Sequence, residues 1–206
     1  MIDIIIPVLN EEEILEEKAL YYSWLSTQGR VVFVDGGSKD RTVELAQKYG
    51  EVIAGPRGRG YQKNFGAQHS KAEVVLFLHV DSYVSEENFQ QINEALLNGS
   101  QVGCFKLAIE ANGIMFRIYE RVVNVRAKYF GVADGDLGLF IKRSFFEAIG
   151  QFDDLEILED LFIGKKIRKV SRINFTPVPI EVSARKWEEH GFLKIFFFYT
   201  CAYIQY

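Results

Sequence analysis

The chain has 206 residues, 48% of them apolar and 25% charged, with a formal net charge of −4 at pH 7. That length and balance supply one sizeable buried core and exclude a disordered chain, and the lack of a basic surplus argues against a nucleic-acid partner. Cys104 and Cys201 stand far apart without metal-ligand spacing and read as reduced and buried, pointing to a cytoplasmic chain. Met1 runs directly into strand-like residues and nowhere do eighteen uncharged apolar residues follow one another, so neither a signal peptide nor a spanning helix is expected.

Residues 2–8, IDIIIPV, read as the first strand, ended by Pro7. Asn10 then caps a helix that opens on Glu11, Glu12 and Glu13, acids suited to the positive end of the helix dipole, with Ile14, Leu15, Ala19, Tyr22 and Leu25 on one buried face. Residues 31–34, VVFV, are β-branched or aromatic without alternation, as in a parallel strand covered on both faces. Asp35 closes that strand, Gly36 and Gly37 turn the chain, and Ser38 or Asp40 caps a helix that runs from Thr42 to Gly50. An acid at the carboxyl end of a parallel strand, followed by small residues, is where open α/β sheets bind nucleotides; an ordinary capped strand-turn-helix would look the same locally.

After a brief strand at 52–54, residues 55–66, GPRGRGYQKNFG, read as a loop. Its glycines and its cations Arg57, Arg59 and Lys63 can meet phosphate, or equally form a solvated connection. Residues 74–78 make the most strand-like run and end in His79-Val80-Asp81, so a second acid stands at the end of a second parallel strand. Two such acids in one crevice suit a hard divalent cation, which takes one or two carboxylates together with substrate phosphates; His79 by itself reads as structural. A helix at 86–97 and a strand at 102–110 follow, and Gly113 opens a long helix carrying Arg117, Arg121, Arg126 and Lys128 on a solvated face or along an acceptor groove.

Residues 131–136 read as a flexible acidic loop, 137–141 as a strand and 144–149 as a helix. The helix that carries Leu161, Ile163, Ile167 and Val170 starts beside Asp160, which locally reads as an N-cap. Past Ser171 a strand, a proline bend and a second strand reach Val182. Residues 191–206 are aromatic, uncharged after Lys194 and too short to span a bilayer. Core helix, dimer contact and interfacial membrane helix all stay open for them.

Alternating strands and helices through about Asp81 specify a doubly wound sheet with a mixed extension. Taken in order, IIPVLNEE, VVFVDGGSKDRT, GRGYQKNFGA, LFLHVDS, GDLGLFIKRSFFEAIGQFDD and ILEDL resemble a family 2 glycosyltransferase of the GT-A fold, from Ile4 to about Trp187. GDLGLFIKRSFFEAIG and SARKW are most similar to the small bacterial subgroup often called "transferase 2, rSAM/selenodomain-associated". The resemblance implies an α/β protein with a Rossmann-like mixed sheet flanked by helices, one domain over 1–206. Within it, 1–98 would bind the nucleotide sugar, 99–190 the acceptor, and 191–206 would form an aromatic C-terminal helix.

The implied reaction moves a sugar, with inversion, from a UDP or GDP sugar to the hydroxyl of an unidentified acceptor, using Mn²⁺ or Mg²⁺. Pro7, Asn10 and Glu11 would border the nucleotide, Asp35 would contact the base, and Arg59 and Asn64 would lie in the loop that meets the nucleotide. Asp81, the last acid of the Asp-x-Asp motif, would bind the metal, while His79 replaces the first acid and Gly36 a commoner second Asp. Glu159-Asp160 matches the Glu-Asp pair, with Asp160 as general base on the acceptor. Asp136 matches a polar position near the acceptor site, and Arg185 and Trp187, grouped on the acceptor side, match a C-terminal basic-aromatic segment that would touch the diphosphate or the acceptor. The implied setting is the cytoplasm, with peripheral contact on the inner face of the membrane or a homodimer through 191–206 as roles for the tail. A sugar-phosphate nucleotidyltransferase would instead carry a glycine-rich basic signature after the first strand, where Pro7-Val8-Leu9-Asn10-Glu11 stands. His79 and Gly36 keep a non-catalytic nucleotide-sugar-binding protein as the remaining alternative.

Overall fold

Four unalternating apolar runs build the parallel half of one sheet. They are β1 (Ile2–Val8), β2 (Arg30–Asp35), β3 (Glu51–Ala54) and β4 (Val74–Phe77), paired in the order β3-β2-β1-β4. The computed structural model describes residues 2–132, 135–155, 158–185, 187 and 191–192. The helices between these strands are α1 (Glu12–Glu17), α2 (Ala19–Gln28), α3 (Thr42–Ala46) and α4 (Arg59–His69). Beyond β4 come β5 (Ser82–Tyr83), α5 (Glu86–Leu97), β6 (Val102–Glu110), α6 (Ile114–Phe130) and a 3₁₀ turn at Gly135–Leu137. The chain continues through β7 (Leu139–Lys142), α7 (Arg143–Ala148), α8 (Glu159–Arg168) and β8 (Asn174–Ser183). β7 joins β4 antiparallel, and the sheet continues β7-β6-β8-β5.

Because β1, β2 and β4 are covered on both faces, their side chains divide between two cores, while β3 at the edge stays partly exposed. Ile4, Ile6, Val31, Phe33 and Leu76 pack with Leu15, Tyr22, Leu25, Leu45 and Ile92 on one face. Ile5, Val32, Val34 and Val75 pack with Ala67, Phe146, Phe152, Ile163 and Ile167 on the other. Cys104 is buried as a free thiol. Cys201 and the aromatic tail beyond Phe192 fall outside the described residues. Among the described residues, no helix is long and apolar enough to cross a membrane.

Several elements differ from the sequence expectation, each for a local reason. β1 has the expected limits, Ile2–Val8, but Pro7 does not end its hydrogen bonding, since Val8 still pairs with Asp35. Leu78 N–H donates to the Ile5 carbonyl and Gly36 N–H to the Val8 carbonyl. Pro7 therefore turns its missing donor toward the β4 side, past the last β1–β4 pair at Ile5 and Phe77, where no ladder bond is lost. Asn10 is not a cap: it sits in the left-handed region at φ 55°, and α1 and α2 are separated at Lys18. The GPRGRGYQKNFG stretch is not a loop throughout, because α4 starts at Arg59. Its glycine at position 66 permits close approach rather than a turn, since a Cβ there would stand 2.4 Å from Ile5 Cγ2. Finally, β8 is one strand through Pro177 and Pro179, which fall at a register shift opposite Cys104 and Lys106.

Candidate active site

At the carboxyl ends of β1 and β2 the two following loops are fastened to each other by short polar side chains. Asp35 accepts from the Gly37 and Ser38 N–H groups, each at 3.1 Å, and from Ser38 Oγ at 2.5 Å. Its carboxylate is thus occupied in holding its own turn. Asn10 N–H donates to Ser38 Oγ at 2.9 Å, Lys39 N–H donates to Asn10 Oδ1 at 2.8 Å, and Glu11 N–H donates to Thr42 Oγ1 at 2.7 Å. Behind the turn, Gln62 of α4 donates to the Val34 carbonyl at 2.6 Å and the Val8 carbonyl at 3.0 Å. A Cβ at Gly36 would lie 3.1 Å from that amide, a tight contact that the Gln62 side chain would have to yield to.

The same loop aims Glu11 at Arg185, 2.9 Å away. Burial pushes the Glu11 carboxyl above its ordinary range; Arg185 opposes this, the negative charge of Asp81 reinforces it, and Arg59 opposes it more weakly. Glu11, Asp81, Arg59 and Arg185 therefore form one electrostatic group. The Asp81 carbonyl also accepts from Ser183 N–H at 3.0 Å, which ties the end of the β4 segment to β8.

A second group lies beside it. Lys63 of α4, with 1% of its side chain exposed, places Nζ 3.0 Å from Glu159 Oε1 and 2.7 Å from Asp160 Oδ1, at the start of α8. Leu158, in the left-handed region at φ 65°, turns the chain so that both acids enter the first helical turn. Of the two, Asp160 keeps more of its side chain open, 19% against 5% for Glu159. His79 Nδ1 is 3.0 Å from Asp136 Oδ1, so Asp136 orients the ring. His79 Nε2 is buried without a hydrogen-bond partner among the described residues, and it converges with oxygens of Glu159 and Asp160 within 4.8 Å.

One ammonium shared by two carboxylates separates their acidities. Burial alone would raise Glu159, but Lys63 overrides it and holds the carboxyl at about 2. For Asp160, burial prevails over the pull of Lys63, the Glu159 anion adds to it, and the carboxyl is pushed above its ordinary value. Burial disfavours the Lys63 charge, yet the two acids keep its ammonium above the usual lysine value. Gly135 closes the wall of this pocket. A Cβ there would stand 2.2 Å from Asp160 Oδ2 and 2.7 Å from His79 Nε2. Gly135→Ala is expected to push these groups apart, with a cost of about 1–3 kcal/mol in chemical denaturation and a matching loss of activity.

The structure brings Glu11, Asp81, Arg59 and Arg185 together, and His79, Asp136, Glu159 and Asp160 together, but two other expected site residues face elsewhere. Asn64 does not meet a crevice: its amide donates to the Phe152 carbonyl at 2.9 Å and accepts from Phe152 N–H at 3.0 Å, pinning the segment before α8. Trp187 is 2% exposed and packs edge-on against Phe116 and Tyr119 of α6, because an indole flanked by those rings gains more from burial than from solvent. Pro7 is buried inside β1. Lys63, read from the sequence as a loop cation either meeting phosphate or lying in a solvated connection, is the buried centre of an ion triad. Gln62 and Gly135 were not legible as site residues, since nothing local distinguishes them.

The sequence model described as Glycosyl transferase family 2 matches residues 3–147. The chain belongs to glycosyl transferase family 2. Among curated relatives of this family 2 chain is the undecaprenyl-phosphate 4-deoxy-4-formamido-L-arabinose transferase of Pseudomonas aeruginosa, 28% identical over 166 residues. That match covers 72% of this chain and 49% of the relative, so the family 2 chain spans about half the length of the curated relatives it matches. S. aureus TarS 1–349, solved with UDP-GlcNAc, shares 19% identity at a TM-score of 0.67, over 88% of this chain and 58% of that one. The mannosyltransferase PcManGT from Pyrobaculum calidifontis, solved with GDP-Man and Mn²⁺, shares 20% identity at a TM-score of 0.65, over 87% and 56%. These likenesses establish the GT-A fold for the family 2 chain.

Proposed function

We propose that this chain is a glycosyltransferase that moves a sugar from a nucleoside-diphosphate sugar to an acceptor hydroxyl by direct displacement, inverting the anomeric centre. The observation that carries the reading is geometric: at the start of α8 Asp160 keeps 19% of its side chain open against 5% for Glu159, beside the His79 ring, with Lys63 holding both carboxylates in place. Burial and the Glu159 anion raise the Asp160 carboxyl, which suits a general base. As the acceptor oxygen bonds to the anomeric carbon, the bond to the diphosphate breaks and the hydroxyl proton passes to Asp160. His79, held by Asp136, faces the same space and positions a ligand hydroxyl or phosphate oxygen through Nε2.

The donor side is the crevice outside β1, β2 and β4, bordered by Pro7, Asn10, Glu11 and the Asp35 turn, with Arg59 and Arg185 as cations toward the diphosphate. The neighbours solved with UDP-GlcNAc and GDP-Man support a UDP or GDP sugar as donor. Asp81 fits a divalent cation: it is a carboxylate whose negative charge bears on the half-buried Glu11 carboxyl, so a cation there would meet two acids of the same group. Mn²⁺ or Mg²⁺ on Asp81 would supply Lewis-acid neutralisation of the diphosphate leaving group. The His79, Glu159 and Asp160 group is the poorer cation site, because Lys63 already engages an oxygen of each carboxylate.

Thermal melting with UDP, GDP, CMP and dTDP sugars, with and without Mn²⁺, tests the donor reading. A ligand at a hundred times its Kd should raise the melting temperature by roughly 5–10 °C for a chain of this size. The expected result is a shift with a UDP or GDP sugar that grows with Mn²⁺ and disappears in Asp81→Ala. No shift with any nucleotide sugar would overturn it.

A further inference from the structure

Helix α6 has two apolar faces where one suffices for packing. Val123 and Ala127 are buried, and Phe116 and Tyr119 of the same side stack on Trp187 and Phe192. The opposite side carries Ile114, Ile118, Val122, Val125 and Tyr129, spaced three or four residues apart, with Met115 beside them, exposed by between 45% (Met115) and 75% (Ile114). An ordinary surface helix presents polar residues there.

At a hundred degrees per residue these six side chains occupy one contiguous stripe, bordered by the exposed cations Arg121 and Lys128, while Arg117 beside them folds back onto the Ile109 and Ala111 carbonyls at 2.8 Å. The only carboxylate of α6, Glu120, is buried against the core, where it accepts from Ile109 N–H at 2.6 Å and pairs with Arg117 at 3.0 Å. The outward side of α6 therefore combines an apolar stripe with cationic borders and exposes no anion, on a chain whose net charge is −4.

We propose that this face of α6 docks the protein on an anionic lipid surface, with the stripe in the acyl boundary and Arg121 and Lys128 among the headgroups. The charge pattern selects this occupant. A second copy of the helix laid on the same stripe would set cationic border against cationic border, with no α6 carboxylate to pair them. A lipid surface instead takes apolar side chains and cations together, as interfacial amphipathic helices do. α6 itself is not long and apolar enough to cross a membrane, so its apolar stripe would lie in the interface plane.

Flotation with vesicles of equal phosphatidylcholine and phosphatidylglycerol, against vesicles of phosphatidylcholine alone, tests the docking without reference to sugar transfer. The full chain is expected to float with the anionic vesicles and to be released by salt. Ile118→Asp/Val122→Asp should lower its partition at least tenfold, as should Arg121→Gln/Lys128→Gln at low salt. These side chains are exposed, so unchanged melting temperatures show that the variants fold. The proposal is overturned if the full chain does not float, if either double variant floats as well as the parent, or if pure phosphatidylcholine serves equally. A dimer in sedimentation that Ile118→Asp/Val122→Asp dissociates would also overturn it, assigning the face to a second copy.

Discussion

Replacing Asp160 with Asn is expected to lower turnover by about 100- to 10,000-fold while leaving nucleotide-sugar binding nearly unchanged. The amide has the size of the carboxylate and still offers Lys63 an oxygen in place of Oδ1, so α8 and the buried triad keep their shape. What it loses is the capacity to take a proton from the acceptor. The parent should show an acid limb in its pH profile, because Asp160 acts as a base only when ionised. Its carboxyl is raised above the ordinary value of 3.8, so activity should fall away at a higher pH than a solvent-exposed Asp would dictate. Single-turnover rates across pH, beside donor binding by calorimetry, check both parts. Turnover of Asp160→Asn close to that of the parent would remove Asp160 from the chemistry.

Lys63→Met should cost about 3–5 kcal/mol of stability at neutral pH, the usual consequence of removing one partner from a buried ion group. Methionine fills much the same space beneath the Phe152 ring, but Glu159 and Asp160 are left as facing anions in a buried pocket. The pH dependence separates this cause from a packing defect. In the parent, the Glu159 carboxyl is depressed from 4.5 to about 2, so its stabilising contribution is present above the ordinary value and is lost as pH falls from about 4.5 toward 2. In the variant the ammonium is gone and burial raises both carboxyls, so acidification relieves the repulsion and the deficit against the parent should shrink. Chemical denaturation at pH 7 and pH 5 measures it. An equal deficit at both values would point to packing alone.

The parallel half of the fold was legible because a strand covered on both faces must be apolar throughout, a pattern that helices of this length do not share. The limits of α5 and β6 were legible for the opposite reason, since their periodicity ends at clear polar or glycine breaks. GPRGRGYQKNFG misled because glycine signals both a turn and close packing. Only the contact of Gly66 with Ile5 reveals which use α4 makes of it. The prolines of β8 misled in the same way, because a bulge accommodates what an uninterrupted ladder would exclude.

The order of the motifs was enough to place the chain in its family, and the acids at the strand ends marked the crevice. Both are properties of residues read along the chain. Which charges meet was decided only by the tertiary structure. Lys63 lies 96 residues before Glu159 and 97 before Asp160, and each of the three alone reads as an ordinary surface charge or cap. The left-handed turn at Leu158 and the packing of α4 on β1 and β2 bring them into one buried group. The division of acidity between Glu159 and Asp160 therefore belongs to no local segment: burial and separation set electrostatic energies, and neither is encoded in sequence spacing.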